Sequence, residues 1–205
     1  MLEAADLECA RGGRILFRGL SFALKQGELL RIAGDNGRGK TSLLRILCGL
    51  LAPSGGEVRW KGSPIRSLGE DYAQQLVYLG HAPAVKDELT PAENLSIACR
   101  LAGNPCSQSE VSAALRCLAV PEAALVKTLS QGQRRRAALA RLVVSQAIPL
   151  WLLDEPLAAL DAPAARLIEG LVEQHIARGG AVVYTTHQDS RLAARTIQLD
   201  GAADA

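Results

Sequence analysis

What this sequence lacks narrows its reading first. No apolar run approaches the roughly 20 residues that span a bilayer, so any membrane role must come through a partner. The opening stretch, Met1-Leu-Glu-Ala-Ala-Asp6, is neither basic nor continuously apolar, and no signal peptide is expected. Neither sign of charge is in excess: 23 Lys and Arg stand against 21 Asp and Glu, a formal net charge of +2. That balance carries no whole-chain signal for nucleic acid or an anionic membrane surface. The five cysteines, Cys9, Cys48, Cys99, Cys106 and Cys117, are odd in number and form no C-x-x-C pair. A disulfide framework and a zinc site are therefore not indicated, and a reduced cytosol fits. Most of them are expected to be small core residues; the exceptions are Cys99 and Cys106, of which the loop between them could expose one. There is no internal repeat and no low-complexity tract. The 205 residues suffice for one α/β domain with a sizeable core.

What is present begins with Gly34-Asp35-Asn36-Gly37-Arg38-Gly39-Lys40-Thr41-Ser42, which contains G-x-x-x-x-G-K-T, the phosphate-binding P-loop pattern. Glu28 to Ala33 is apolar enough to be a buried strand, and Thr41 to Leu47 is a good helix with Leu43, Leu44 and Leu47 on one face. That strand–loop–helix context is what the pattern requires. The three glycines let backbone wrap a polyphosphate, while the loop N–H groups and the helix N-terminus face the anion. Lys40 would reach the β- and γ-phosphates and Thr41 would offer its hydroxyl to Mg²⁺.

Leu2 to Cys9 reads as a first strand, Arg11 to Arg14 as a turn, and Leu20 to Leu24 as a half-exposed strand. The P-loop helix should stop near Gly49, and Glu57–Trp60 and Leu76–Leu79 are short strands. From about 91 to 145 the composition turns rich in Ala, Leu and Arg, which predicts a helical subdomain inserted in an α/β core formed by about 1–90 and 146–205. Leu150–Leu153 and Ala181–Thr186 read as buried strands flanking a helix from Pro163 to Ala177. Strands alternating with helices predict a mostly parallel sheet.

Three further groups carry chemistry. Asp154 ends an apolar strand, where a carboxylate can hold Mg²⁺ through water, the Walker B role. Glu155, one residue further, can polarise an attacking water as general base. His187 also follows a strand, at the edge where open α/β sheets bind ligands, and its imidazole can bond a γ-phosphate. His175 lies on a polar helical stretch and reads as structural. Leu129-Ser-Gln-Gly-Gln133 opens a helix carrying Arg134, Arg135 and Arg136. Ser130 is a natural cap, and Ser130 with Gly132 can bind phosphate through hydroxyl and N–H. Three arginines there oppose the helix dipole and point to an anion, an acidic partner or a solvated face.

In this order the motifs resemble the ATP-binding-cassette (ABC) ATPases: P-loop 34–41, signature 129–133, Walker B 150–155, Leu160-Asp161 as D-loop and His187 as switch histidine. The resemblance covers nearly the whole chain and implies an α/β P-loop fold with an antiparallel β-subdomain beside the parallel core. It implies a head-to-tail homodimer that sandwiches ATP and Mg²⁺ between one subunit's P-loop and the other's Ser130, Gly132 and Gln133, with Asp161 nearby. Gln131 replaces the usual signature glycine. His81 stands where the family has its Q-loop glutamine. Arg11 stands near the family's adenine-stacking aromatic, and its planar guanidinium can stack instead.

A narrower resemblance rests on Gly80-His81, on Thr185-Thr186-His187-Gln188, on the start Leu2-Glu3-Ala4 with Leu7 and Cys9, and on the 18 residues after His187, too few for a regulatory domain. These look like the ATP-binding subunits of bacterial cytochrome c maturation complexes, the so-called haem exporters. That implies a peripheral ATPase on the cytoplasmic face of the inner membrane, with integral-membrane partners of the CcmB, CcmC and CcmD type and no nucleic acid. It would power release of haem-loaded chaperone, or haem export. The chain itself has no C-x-x-C-H and no clear haem ligand. A transporter with another cargo, or a soluble cassette acting on nucleic acid, remain the alternatives.

Overall fold

The computed structural model describes residues 1–187 and 191–199; Gln188 lies outside the described residues. The chain opens on a long hairpin, β1 (Leu2–Arg11) and β2 (Arg14–Leu24), paired from Leu2 opposite Leu24 to Arg11 opposite Arg14. The strand expected at Leu20–Leu24 is the end of this longer β2. β1 buries Leu2, Ala4, Leu7 and Cys9, and its alternation breaks near Asp6, where both of its pairings shift register. β3 (Leu29–Ala33) buries Leu30 and Ile32 but leaves Leu29, Arg31 and Ala33 half-buried, so it is less enclosed than its composition predicts.

α1 (Lys40–Leu47) follows the glycine-rich loop and buries Leu43, Leu44 and Leu47 as expected. β4 (Gly55–Trp60), β5 (Ser63–Pro64), the short α2 (Ile65–Leu68) and α3 (Glu70–Ala73), and β6 (Leu76–Leu79) complete the first half.

Three helices follow: α4 (Pro91–Leu101), α5 (Gln108–Cys117) and α6 (Gln131–Val144). Each starts with a capping box, Thr90 with Glu93, Ser107 with Glu110 and Ser130 with Gln133. The reciprocal side-chain and backbone bonds satisfy N–H groups that a helix start leaves unpaired. The chain then runs through β7 (Leu150–Asp154), α7 (Ala162–Ala177), β8 (Ala181–Thr185) and β9 (Arg195–Gln198).

The strands form two sheets. One is antiparallel, in the order β2-β1-β4-β5; the other is entirely parallel, in the order β6-β7-β8-β3-β9. β9 was not expected from the sequence. Successive residues of β7 face opposite ways: Trp151 and Leu153 pack with α4 to α7, whereas Leu150 and Leu152 pack with α1 and the antiparallel sheet. The helices of the 91–145 segment thus share one apolar cluster with a face of the parallel sheet. No helix among the described residues is long and apolar enough to cross a membrane.

Several polar residues lie where pattern alone does not put them. His175 is buried, 1 % exposed, and stacked on Trp151 with ring centroids 3.9 Å apart and planes 6° from parallel. It is structural, but its stretch of α7 is not a solvated one. Burial pushes its imidazole pKa down to about 4. Of the two cysteines beside the 102–107 loop, Cys99 is buried, turned into the apolar cluster from the last turn of α4, and Cys106 is half-buried; Cys117 is the exposed cysteine.

Candidate functional site

The parallel ladders set the site. Ile32 of β3 and Asp154 of β7 both pair with Thr185 of β8, so the loops after these three strands leave the sheet side by side. This is the carboxyl edge, where open parallel sheets bind ligands. The loop after β3 wraps tightly. Gly39, the N-cap of α1, has φ +96°, and a Cβ there would lie 3.1 Å from both Leu16 and Phe17. Gly34 has φ +142°, and its Cβ would fall 2.9 Å from the Leu199 carbonyl oxygen. Only glycine fits either position without displacing its neighbours.

A cleft of about 710 Å³ opens over this edge. Its walls include Arg11, Asn36, Gly37, Gly39, Lys40, Thr41, Ser42, His81, Asp154, Glu155 and His187, which gathers most of the residues expected from the sequence. Leu16 and Ala158 also line it and were not foreseen. Asp35 and Arg38 sit at the loop tip, 4.0 Å apart as an exposed ion pair.

Inside the cleft the polar groups are ordered. Lys40, 8 % exposed, donates from Nζ to the carbonyl oxygens of Gly34 (2.6 Å) and Asp35 (3.0 Å). Thr41 Oγ1 donates to Asp154 Oδ2 at 2.8 Å. The other carboxylate oxygen of Asp154 accepts from Thr185 Oγ1 at 2.7 Å, and that hydroxyl also accepts the Glu155 N–H at 3.0 Å. Thr185 was missed; a hydroxyl inside an otherwise apolar strand was its only signal.

Glu155 adopts φ +52°, a sparsely populated region for a residue with a side chain. Its Oε2 accepts the His187 N–H at 3.2 Å, and its Oε1 lies 3.5 Å from His187 Nε2. Oε1 is buried and has no hydrogen-bond partner among the described residues.

Among the described residues, Arg134, Arg135 and Arg136 of α6 are taken up by protein acceptors. Arg134 pairs with Asp87 at 3.2 Å and donates to the carbonyls of Lys127 and Leu129, and Arg136 donates to that of Leu118. Arg135 is 4 % exposed and donates to four carbonyls. Backbone oxygens outside the helix and the Asp87 carboxylate take these donors. Ser130, Gly132, Gln133 and Asp161 are not part of the cleft wall. Ser130 and Gln133 cap α6 reciprocally, Gly132 faces the Ala159 carbonyl, and Asp161 Oδ1 caps α7 by accepting the Ala164 N–H at 2.9 Å.

The donor set fits Mg²⁺. A hydroxyl and a carboxylate oxygen meet beside the phosphate loop, both hard oxygen ligands, and Mg²⁺ usually takes one or two such protein groups and fills its shell with phosphate and water. Among the described residues no group of three or more His, Cys, Asp or Glu side chains is gathered as a metal cluster.

Comparison with known proteins places this geometry in a family. Residues 17–158 match the ABC transporter family. The cytochrome c biogenesis ATP-binding export protein CcmA of Dechloromonas aromatica is 52 % identical over 200 residues, covering 97 % of this chain and 98 % of the relative. The protein of the same name from Nitrosospira multiformis is 50 % identical over 199 residues, 96 % of each chain. Among solved structures, a putative ABC transporter ATP-binding protein from Pyrococcus furiosus superposes with a TM-score of 0.81 at 22 % identity, covering 97 % of this chain and 96 % of its own. A dimeric ATP-binding cassette in a post-hydrolysis state, bound to ADP and Pi, gives the same TM-score at 22 % identity over 92 % of this chain and 88 % of its own. The chain belongs to the ABC transporter family, among its cytochrome c biogenesis ATP-binding export proteins.

Proposed function

We propose that this chain is the ATP-hydrolysing subunit of a cytochrome c maturation export complex, powering release of haem-loaded chaperone or haem export. The observation that carries hydrolysis is the Glu155–His187 pair. Glu155 lines the same cleft as the phosphate loop, and its buried Oε1, without a donor among the described residues, lies beside the His187 imidazole. Sequence identity of about half over nearly the whole chain supports the choice of complex.

In this reading the N–H groups from Gly34 to Ser42 cradle the phosphates, and Lys40 exchanges its carbonyl partners for β- and γ-oxygens. Thr41 and Asp154 would hold Mg²⁺, which when bound neutralises charge on the phosphate oxygens. Glu155 accepts the proton of the attacking water, and His187 orients the γ-phosphate. His81, on the cleft wall, stands in for the Q-loop glutamine as a hydrogen-bonding sensor. Arg11 and Leu16 offer a planar cation and an apolar surface for the base.

The cleft lacks Ser130, Gly132, Gln133 and Asp161, and a head-to-tail second copy would supply them. Residues 91–145 would act as the helical signature subdomain within the single cassette. Integral-membrane partners of the CcmB, CcmC and CcmD type would hold the dimer at the cytoplasmic face of the inner membrane. The near balance of charge favours these partners over nucleic acid.

Glu155→Gln tests the mechanism. The variant should bind ATP with Mg²⁺, lose turnover and accumulate as an ATP-bound dimer in size-exclusion chromatography. Undiminished hydrolysis would remove Glu155 as the base.

A further inference from the structure

Arg135 sits in α6 five residues beyond the cap Ser130, yet its guanidinium ends beside the cleft. No carboxylate pairs with it among the described residues, and burial pushes its pKa down while the nearby Asp154 and Glu155 carboxylates push it back up. Its partners are four backbone carbonyls in two separate loops. Nη1 donates to Gly80 at 3.1 Å and His81 at 3.0 Å; Nη2 donates to Asp154 at 3.1 Å and Glu155 at 2.6 Å. β6 and β7 are adjacent parallel strands, so both loops leave the sheet at one edge, and one planar fork spans them.

We propose that Arg135 is a positioning residue for ATP hydrolysis, fixing the backbone of His81 and Glu155 from the helix that also carries Ser130 and Gly132. The strained φ of +52° at Glu155 needs surroundings that hold it, and the shortest of the four bonds is made to that residue's own carbonyl. A displacement of α6 when a second copy engages its N-terminus is passed through this fork to the base and to His81 together. The inference rests on Glu155 being the base, as proposed above.

Lysine at this position is the discriminating substitution. It keeps the charge, but its three donors sit on one nitrogen and cannot reproduce the four bonds that the planar fork makes across the two loops. The full chain, purified with its membrane partners, is compared as wild type, Arg135→Lys and Glu155→Gln. ATP turnover, ATP affinity and amide hydrogen exchange are measured for each. For Arg135→Lys we expect ATP affinity within about twofold of wild type and kcat lowered about tenfold or more. Exchange should quicken at 80–82 and 154–156 while α6 itself stays protected. Wild-type kcat in Arg135→Lys overturns the proposal, as does a kcat loss accompanied by equal loss of ATP affinity and by opening of α6, the pattern of a fold brace. If Arg135→Lys does not fold, Arg135→Gln replaces it; failure of both while Glu155→Gln folds makes Arg135 a folding residue and also overturns the proposal. Full turnover in Glu155→Gln instead sinks the assignment of the base, whereas a dead Glu155→Gln beside a fully active Arg135→Lys sinks the role of Arg135 alone.

Discussion

Replacing Thr185 with valine removes one oxygen and almost no volume, yet that oxygen serves both acidic residues of the site. It donates to Asp154 Oδ1 at 2.7 Å and accepts the Glu155 N–H at 3.0 Å, in a residue that is 0 % exposed. In Thr185→Val a buried carboxylate oxygen loses its donor and a buried N–H its acceptor. Each orphaned group costs about 1–3 kcal/mol. Thr41 still donates to the other oxygen of Asp154, which limits the total to about 2–5 kcal/mol. For a chain of this size each kcal/mol moves Tm by about 2–4 °C, so a fall of about 4–20 °C is expected by calorimetry. Turnover at saturating ATP should drop about tenfold if reorienting Asp154 and Glu155 raises the barrier by ~1.4 kcal/mol. Thr185→Ser, which keeps the oxygen, should recover most of both losses. An unchanged Tm with normal turnover in Thr185→Val would refute the claim that this hydroxyl organises the site.

Other outcomes follow from the same geometry. His175 stays neutral when folded down to about pH 4, while its unfolded imidazole takes up a proton near 6.5, so stability is full above that range and falls as pH drops through it, by at most about 3 kcal/mol. Urea midpoints between pH 7 and 4 should fall less steeply in His175→Phe than in wild type. Gly180→Ala places a Cβ 2.2 Å from His175 Nε2 and must push the ring off Trp151, costing about 1–3 kcal/mol. Combining it with His175→Ala should remove most of that clash, and simple additivity in the double variant would count against it. Lys40→Ala removes a charge-assisted contact worth about 1.5–3 kcal/mol, so the Kd for Mg-ATP, read by calorimetric titration, should rise about 10- to 150-fold.

The cleft was legible in the sequence where function sits on local backbone geometry. A glycine-rich loop between an apolar strand and helix can be read from spacing, and so can carboxylates at the end of Leu150–Leu153. What escaped depends on partners distant in the chain. Arg135 looked like one of three solvated or anion-seeking arginines, because nothing local shows that its acceptors lie 55 and 54 residues away at Gly80 and His81. His175 looked polar because its neighbours are Gln174 and Glu173, while the ring that buries it, Trp151, belongs to another strand. β9 (Arg195–Gln198) has no apolar run; it is an edge strand with exposed or half-buried residues, held by main-chain pairing to β3. Thr185 gave only the weak hint of a hydroxyl in a hydrophobic strand.

The measurement closest to the central claim is purification of the tagged full chain from mild-detergent membranes, with identification of what accompanies it and ATP turnover of the recovered complex. CcmB-type and CcmC-type membrane proteins should be recovered, with Mg²⁺-dependent ATP hydrolysis that disappears in Glu155→Gln. Recovery of an unrelated permease, or of the chain alone without membrane proteins, would contradict that claim.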